Sequence, residues 1–132
     1  MIYLIIGLGS FLGGIARYWL SGVVHLWTGV MFPWGTLTVN VIGSFIIGFL
    51  YSLFSPTGLF LVSSETRYFL TIGICGGFTT FSTFSLETLN LFQEGEFFKV
   101  GLNIIVTVLL CLLFVWLGHL LASLMAQLKE SS

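Results

Sequence analysis

Charge is scarce in this sequence, and aspartate is missing altogether. Of 132 residues, five are Glu and four are Lys or Arg. A soluble domain normally carries about a quarter charged residues. So few cannot cover a water-facing surface, and lipid is the solvent this composition suits. The formal net charge of −1 supplies no field for nucleic acid or for an acidic partner. Without Asp there is no Asp-based nucleophile or metal cage. There is also no phosphate-binding Walker loop, no Gly-x-Ser-x-Gly and no clustered His and Cys, so nothing reads as an enzyme. The two cysteines, Cys75 and Cys111, sit apart in apolar runs and read as small core filler. The N-terminus begins Met-Ile-Tyr-Leu-Ile-Ile. It lacks the basic stretch of a cleaved signal peptide, so the first segment is expected to be a retained helix.

What fills the chain instead is apolar. Hydrophobic residues make up 57%, and the mean hydropathy is +1.09. A bilayer-spanning helix needs about 20 mostly apolar residues. Four stretches qualify: about Ile2 to Trp27, Trp34 to Phe54, Thr66 to Leu91, and Phe97 to Met125. Pro33 and Pro56 bracket the second. The runs are too long and continuous for barrel strands. The expectation is an all-α integral membrane protein with four transmembrane helices, in one domain spanning residues 1–132.

With four spans, the termini and the second connection share one side. That side holds Glu65, Arg67, Lys129 and Glu130; the other holds Glu87, Glu94, Glu96 and Lys99, with Arg17 toward it. Lys and Arg near span ends set orientation, and here they nearly balance. Insertion in both orientations is expected; the alternative is weak fixing of one. Small residues recur at i,i+4, as Gly9/Gly13, Ser10/Gly14 and Ser44/Gly48, which lets helices approach closely in lipid. Four short spans enclose little interior, so a dimer would complete the packing.

Polar chemistry concentrates in the third span, in Gly73-Ile-Cys-Gly-Gly-Phe-Thr-Thr-Phe-Ser-Thr-Phe-Ser-Leu-Glu87. Gly76-Gly77 are poor helix residues, and Thr79, Thr80, Ser82, Thr83 and Ser85 are hydroxyls at membrane depth. A broken helix there is tolerated only when buried in protein or lining a wet cavity, and the break frees carbonyls that can ligate a cation. The competing reading is a packing kink whose hydroxyls bond back to their own helix. Phe78, Phe81 and Phe84 recur every three residues and share roughly one face if helical. Their positive ring edges would suit a weak anion path, although such stripes also serve as filler. In the second span Thr36, Asn40 and Ser44 form an i,i+4 row. The Asn40 amide would either clamp another helix or donate to a passing anion. Arg17 inside the first span would draw anions into a vestibule or snorkel to the interface. In the fourth span Asn103, Thr107 and Cys111 form a mildly polar stripe able to face a partner helix. His25 and His119 lie near span ends and read as interfacial.

Three motifs, Gly13-Gly-x-x-Arg17-Tyr18, Gly35-Thr-Leu-x-Val-Asn40-x-x-Gly43-Ser44-Phe45 and Gly76-Gly-Phe-Thr-Thr-Phe-Ser-Thr-Phe84, resemble the Fluc/CrcB family of fluoride channels in order and spacing. The likeness covers nearly the whole chain, with no departure at these positions. It implies an antiparallel, dual-topology homodimer in the bacterial inner membrane, with the third helix broken near its middle. It implies passive export of fluoride down its electrochemical gradient, protecting the cell from fluoride toxicity. The implied pore residues are Asn40, Phe81 and Phe84, with Ser82 and Thr83 as a polar track, Arg17 in a vestibule and Glu87 near a mouth. The resemblance further implies a structural Na⁺ at the dimer interface, held by the backbone carbonyls of Gly76 and Thr79. Hard oxygen ligands suit that ion and the Cys75 thiol does not. A small multidrug-type dual-topology exporter is the rival, but it needs an embedded carboxylate to exchange protons, and the first span has none.

Overall fold

The computed structural model describes residues 1–132. Its helices are α1 (Ile2–Thr28), α2 (Trp34–Leu53), α3 (Ser64–Tyr68), a π-helical segment (Phe69–Cys75), α4 (Gly76–Phe78), α5 (Phe81–Gln93) and α6 (Phe97–Glu130). From α3 to α5 these form one span, Ser64–Gln93. With α1, α2 and α6 this makes four helices long and apolar enough to cross a membrane. The predicted starts and ends of the spans agree to within two residues, the spread that fraying helix ends leave, except that α6 runs on past Met125 to Glu130.

Local chemistry places the reversals. Gly29 and Gly95 have φ of 74° and 76°, the left-handed region that glycine enters without a Cβ penalty. They end α1 and α5, so the chain turns back after each. At the other end Ser63 caps α3 by accepting from the Thr66 N–H at 3.2 Å, one of the donors a helix start leaves free.

Packing follows the small residues. α2 lies along α6, and α1 lies along the first half of the third span. A Cβ at Gly9 would stand 2.8 Å from the Gly73 Cα, and one at Gly77 2.5 Å from the Ser10 carbonyl oxygen. A Cβ on Gly13 would strike the Ile74 carbonyl, one on Gly48 the Val115 carbonyl, and one on Gly118 the Phe45 carbonyl. These are backbone-to-backbone contacts with no flexible side chain to yield. Gly118→Val is therefore expected to push α6 off α2 and cost about 1–3 kcal/mol or more. A matched Gly7→Val change, at a position with nothing within 4 Å, should leave stability near wild type. Denaturation in detergent, followed by circular dichroism, would decide; equal midpoints for both variants would refute the close-crossing account.

Candidate functional site

The third span opens at Thr79 and Thr80, residues with extended backbone (φ −86°, ψ 157° and φ −152°, ψ 115°). Gly76 and Gly77 stay helical, so the break lies three residues past the glycines whose propensity suggested it. Asn40 on α2 holds the break open from both sides. Its Oδ1 accepts from the Thr80 N–H at 2.7 Å, and its Nδ2 donates to the Thr80 carbonyl at 3.0 Å. The Thr80 N–H is the group an unbroken helix would give to the Gly76 carbonyl. The Thr83 N–H, which would close on the Thr79 carbonyl, goes to Thr80 Oγ1 at 3.1 Å. The carbonyls of Gly76 and Thr79 are thus released from their i,i+4 partners.

Thr80 also starts α5. Its hydroxyl is the N-cap of that helix, donating in turn to Thr83 Oγ1 at 3.0 Å and lying 3.2 Å from Ser82 Oγ. A helix beginning at mid-depth presents free N–H groups and a positive dipole end. On α2, Gly43 makes room: a Cβ there would strike Thr79 Cγ2. The i,i+4 row of α2 continues the grip. Thr36 Oγ1 donates to Glu87 Oε1 at 2.8 Å, and Ser44 Oγ donates to the Asn40 carbonyl at 2.7 Å, which steadies the clamp.

Two cavities flank the break. One, of about 380 Å³, is a groove whose lining includes Asn40, Thr79, Thr80, Phe81, Phe84 and Thr107. No charged side chain lines it. The Phe81 and Phe84 rings stand 5.3 Å apart, tilted by 46°. The second, of about 630 Å³, includes Arg17, His25, Thr36, Thr80 and Thr83. Thr80 lines both, so its hydroxyl stands between an apolar-aromatic groove and a cationic one. The chain's one ion pair is Lys99–Glu96 at 3.3 Å, which leaves Arg17 without a carboxylate partner.

Asn40, Phe81 and Phe84 therefore come together. Thr83 lies in the Arg17 cavity instead, and Ser82 is exposed beside Thr80. Phe78 does not share the face of the other two rings. The extended residues between them turn it inward, where it is buried near Gly43. The α6 stripe faces inward too. Asn103 Nδ2 donates to Thr88 Oγ1 at 3.0 Å, and Thr107 and Cys111 line the groove. Thr80 escaped the sequence reading as a distinct position, although a Thr directly before the apolar Phe81 that opens a helix is a helix-start signal. Of the two histidines, His119 Nδ1 lies 2.5 Å from Ser52 Oγ, tying α6 to α2.

Four membrane-length helices around a mid-depth break, walled by hydroxyls, an amide and aromatic rings, define a multi-pass membrane protein built to pass a small solute. Residues 4–119 match the family described as CrcB-like protein, Camphor Resistance (CrcB), and the chain belongs to that family. It is 54% identical over 129 residues to the fluoride-specific ion channel FluC of Methylocella silvestris, covering 98% of both chains. It is 51% identical to the channel of the same name from Opitutus terrae, again over 98% of both. The FluC of Paramagnetospirillum magneticum is 51% identical, over 94% of this chain and 97% of its own. The multidrug exporter finds no support in these relationships.

Proposed function

We propose that this chain is a fluoride-selective channel of the bacterial plasma membrane that lets cytoplasmic fluoride leave passively. The observation that carries the reading is the Asn40-clamped break beside Phe81 and Phe84, in a chain whose relatives are named fluoride-specific ion channels. Asn40 spends one Nδ2 hydrogen on Thr80 and keeps a second for an anion. The α5 N-terminus and the positive ring edges offer further weak donors. Many weak sites and no fixed charge in the groove allow a dehydrated anion to enter and still leave. Arg17, unpaired in the adjoining cavity, raises the local anion concentration. Ser82 and Thr83 extend the polar track on either side of Thr80.

The working unit we infer is an antiparallel homodimer. Gly76, Phe81, Ser82 and Ser85 are exposed on the single chain at mid-span. Released carbonyls and hydroxyls facing acyl chains would be costly, and a second copy would cover them. The nearly balanced Lys and Arg counts agree with two opposed orientations. The donor set at the break, backbone oxygens without a His, Cys or Glu cluster, fits Na⁺. The Gly76 and Thr79 carbonyls of both copies would hold that ion, which would brace the two breaks together.

Fluoride and chloride efflux from proteoliposomes, read with ion-selective electrodes, tests these proposals together. The expected result is rapid fluoride loss, chloride loss at the protein-free rate, one dimeric species on crosslinking, and weaker flux when sodium is replaced throughout by N-methylglucamine. Equal fluoride and chloride rates would end the channel proposal. A monomer would end the dimer, and flux indifferent to sodium after exhaustive exchange would end the sodium brace.

A further inference from the structure

His25 stands where two polar cavities meet. It lines the larger one with Arg17, Tyr18, Thr36 and Thr83. It also lines a smaller one, of about 210 Å³, with Glu87, Asn90 and Glu94. The walls of these cavities are opposite in sign. Arg17 gives the first its positive charge, whereas two carboxylates face the second. Glu87 bridges them, because its Oε1 is held by Thr36 on α2. Its Oε2 is buried with no hydrogen-bond partner. An anion approaching Arg17 past the ends of α1 and α5 therefore meets two carboxylates, with His25 as the one side chain of that pocket able to become cationic.

We propose that His25 is an anion-capture residue at the mouth of the conduit, and that its charged form is what admits fluoride past Glu87 and Glu94. The inference rests on the channel reading. Imidazole is the side chain that changes charge between about pH 5 and 8. With His25 neutral, the pocket lined by Glu87 and the exposed Glu94 holds no cationic side chain, and a carboxylate there repels an incoming anion. With His25 protonated, the positive strip begun by Arg17 extends to the opening. Conductance at sub-saturating fluoride therefore rises as pH falls and declines as the imidazolium is lost. The titratable and charged groups facing His25 are Arg17 and Tyr18 from α1 and Glu87 and Glu94 from α5; α2 contributes the neutral Thr36. Protonation of either carboxylate would move conductance in the same direction, so the pH profile of the wild type alone does not assign the effect.

Planar-bilayer conductance of the reconstituted full chain, in millimolar fluoride, separates the contributions. Between about pH 8 and about pH 5.5 the wild-type conductance is expected to rise about threefold, less than the roughly tenfold or more that a fully focused field gives, because His25 and Glu94 are exposed. His25→Gln should bring that ratio close to one. His25→Lys, which keeps the charge, should also flatten the profile while conducting better than wild type at about pH 8. His119→Gln, at the Ser52 contact, should keep the wild-type ratio. A flat wild-type profile overturns the proposal. So does a rise that survives in His25→Gln, which would place the titrating group on Glu87 or Glu94. Absence of any fluoride-selective current would instead bring down the channel reading on which it rests, a result distinguishable from a current that ignores pH.

Discussion

Fluoride efflux is expected to fall to the vesicle-leak rate in Asn40→Leu, with unfolding free energy lowered by about 2–6 kcal/mol. Polar side-chain contacts between membrane helices average only about 0.6 kcal/mol, so an ordinary interhelical clamp would scarcely register. This one differs because its partners are backbone groups that have already left the helix. Removing the amide orphans the Thr80 N–H and carbonyl together, in a buried site. Each such orphan costs about 1–3 kcal/mol. The chain can recover part of this by letting the Thr80 N–H return to the Gly76 carbonyl. That straightens the span and swings Phe81 and Phe84 relative to α2. Either outcome removes the groove. Asn40→Asp keeps the acceptor for the Thr80 N–H but loses the donor and adds a negative charge. It should retain more stability than the Leu variant while conducting no better. Denaturant titration in detergent and electrode-monitored efflux give the two readouts. Wild-type stability and flux in Asn40→Leu would show that the break maintains itself.

Phe81→Ile and Phe84→Ile should each slow fluoride efflux by at least about tenfold, the factor lost with about 1.4 kcal/mol of stabilisation at a barrier. Isoleucine supplies apolar bulk without the polarised ring edge. Phe81 is 76% exposed on the single chain and Phe84 only 7%, so their structural costs differ. The first should scarcely affect the fold of the subunit, and the second should cost about 1–2 kcal/mol as a near-volume-conserving core change. A flux defect of similar size in both variants would therefore follow conduction and not packing. Gel filtration establishes that the variants remain assembled. Efflux at the wild-type rate in both would remove the rings from the ion path.

The two predictions differ in how far the sequence alone supports them. The Phe spacing was plain, but helical projection put Phe78, Phe81 and Phe84 on one face, and that holds only without a break between them. Two extended residues, Thr79 and Thr80, separate Phe78 from the other pair. That the third span breaks near its middle was legible, but not at which peptide. Gly76 and Gly77 remain helical because a weak helix former costs only about 1 kcal/mol, and Gly77 is needed small against Ser10. For Asn40 the residues left clamp and anion donor open. Its geometry accommodates both, one Nδ2 hydrogen committed to Thr80 and the other free.

The solvent, the number of spans and the poverty of fixed charge were all determined by the sequence on its own. Hydropathy over about 20 residues is a local sum, and a Glu or Arg either is in it or is not. Which peptide bonds open at mid-membrane was decided only by tertiary structure. The choice is a competition for the Thr80 N–H between the Gly76 carbonyl, four residues back, and Asn40 Oδ1, forty residues back. No local window contains both competitors. The same holds for His25, whose neighbours Arg17, Glu87 and Glu94 are brought to one end of the bundle by the packing of α1 against the third span.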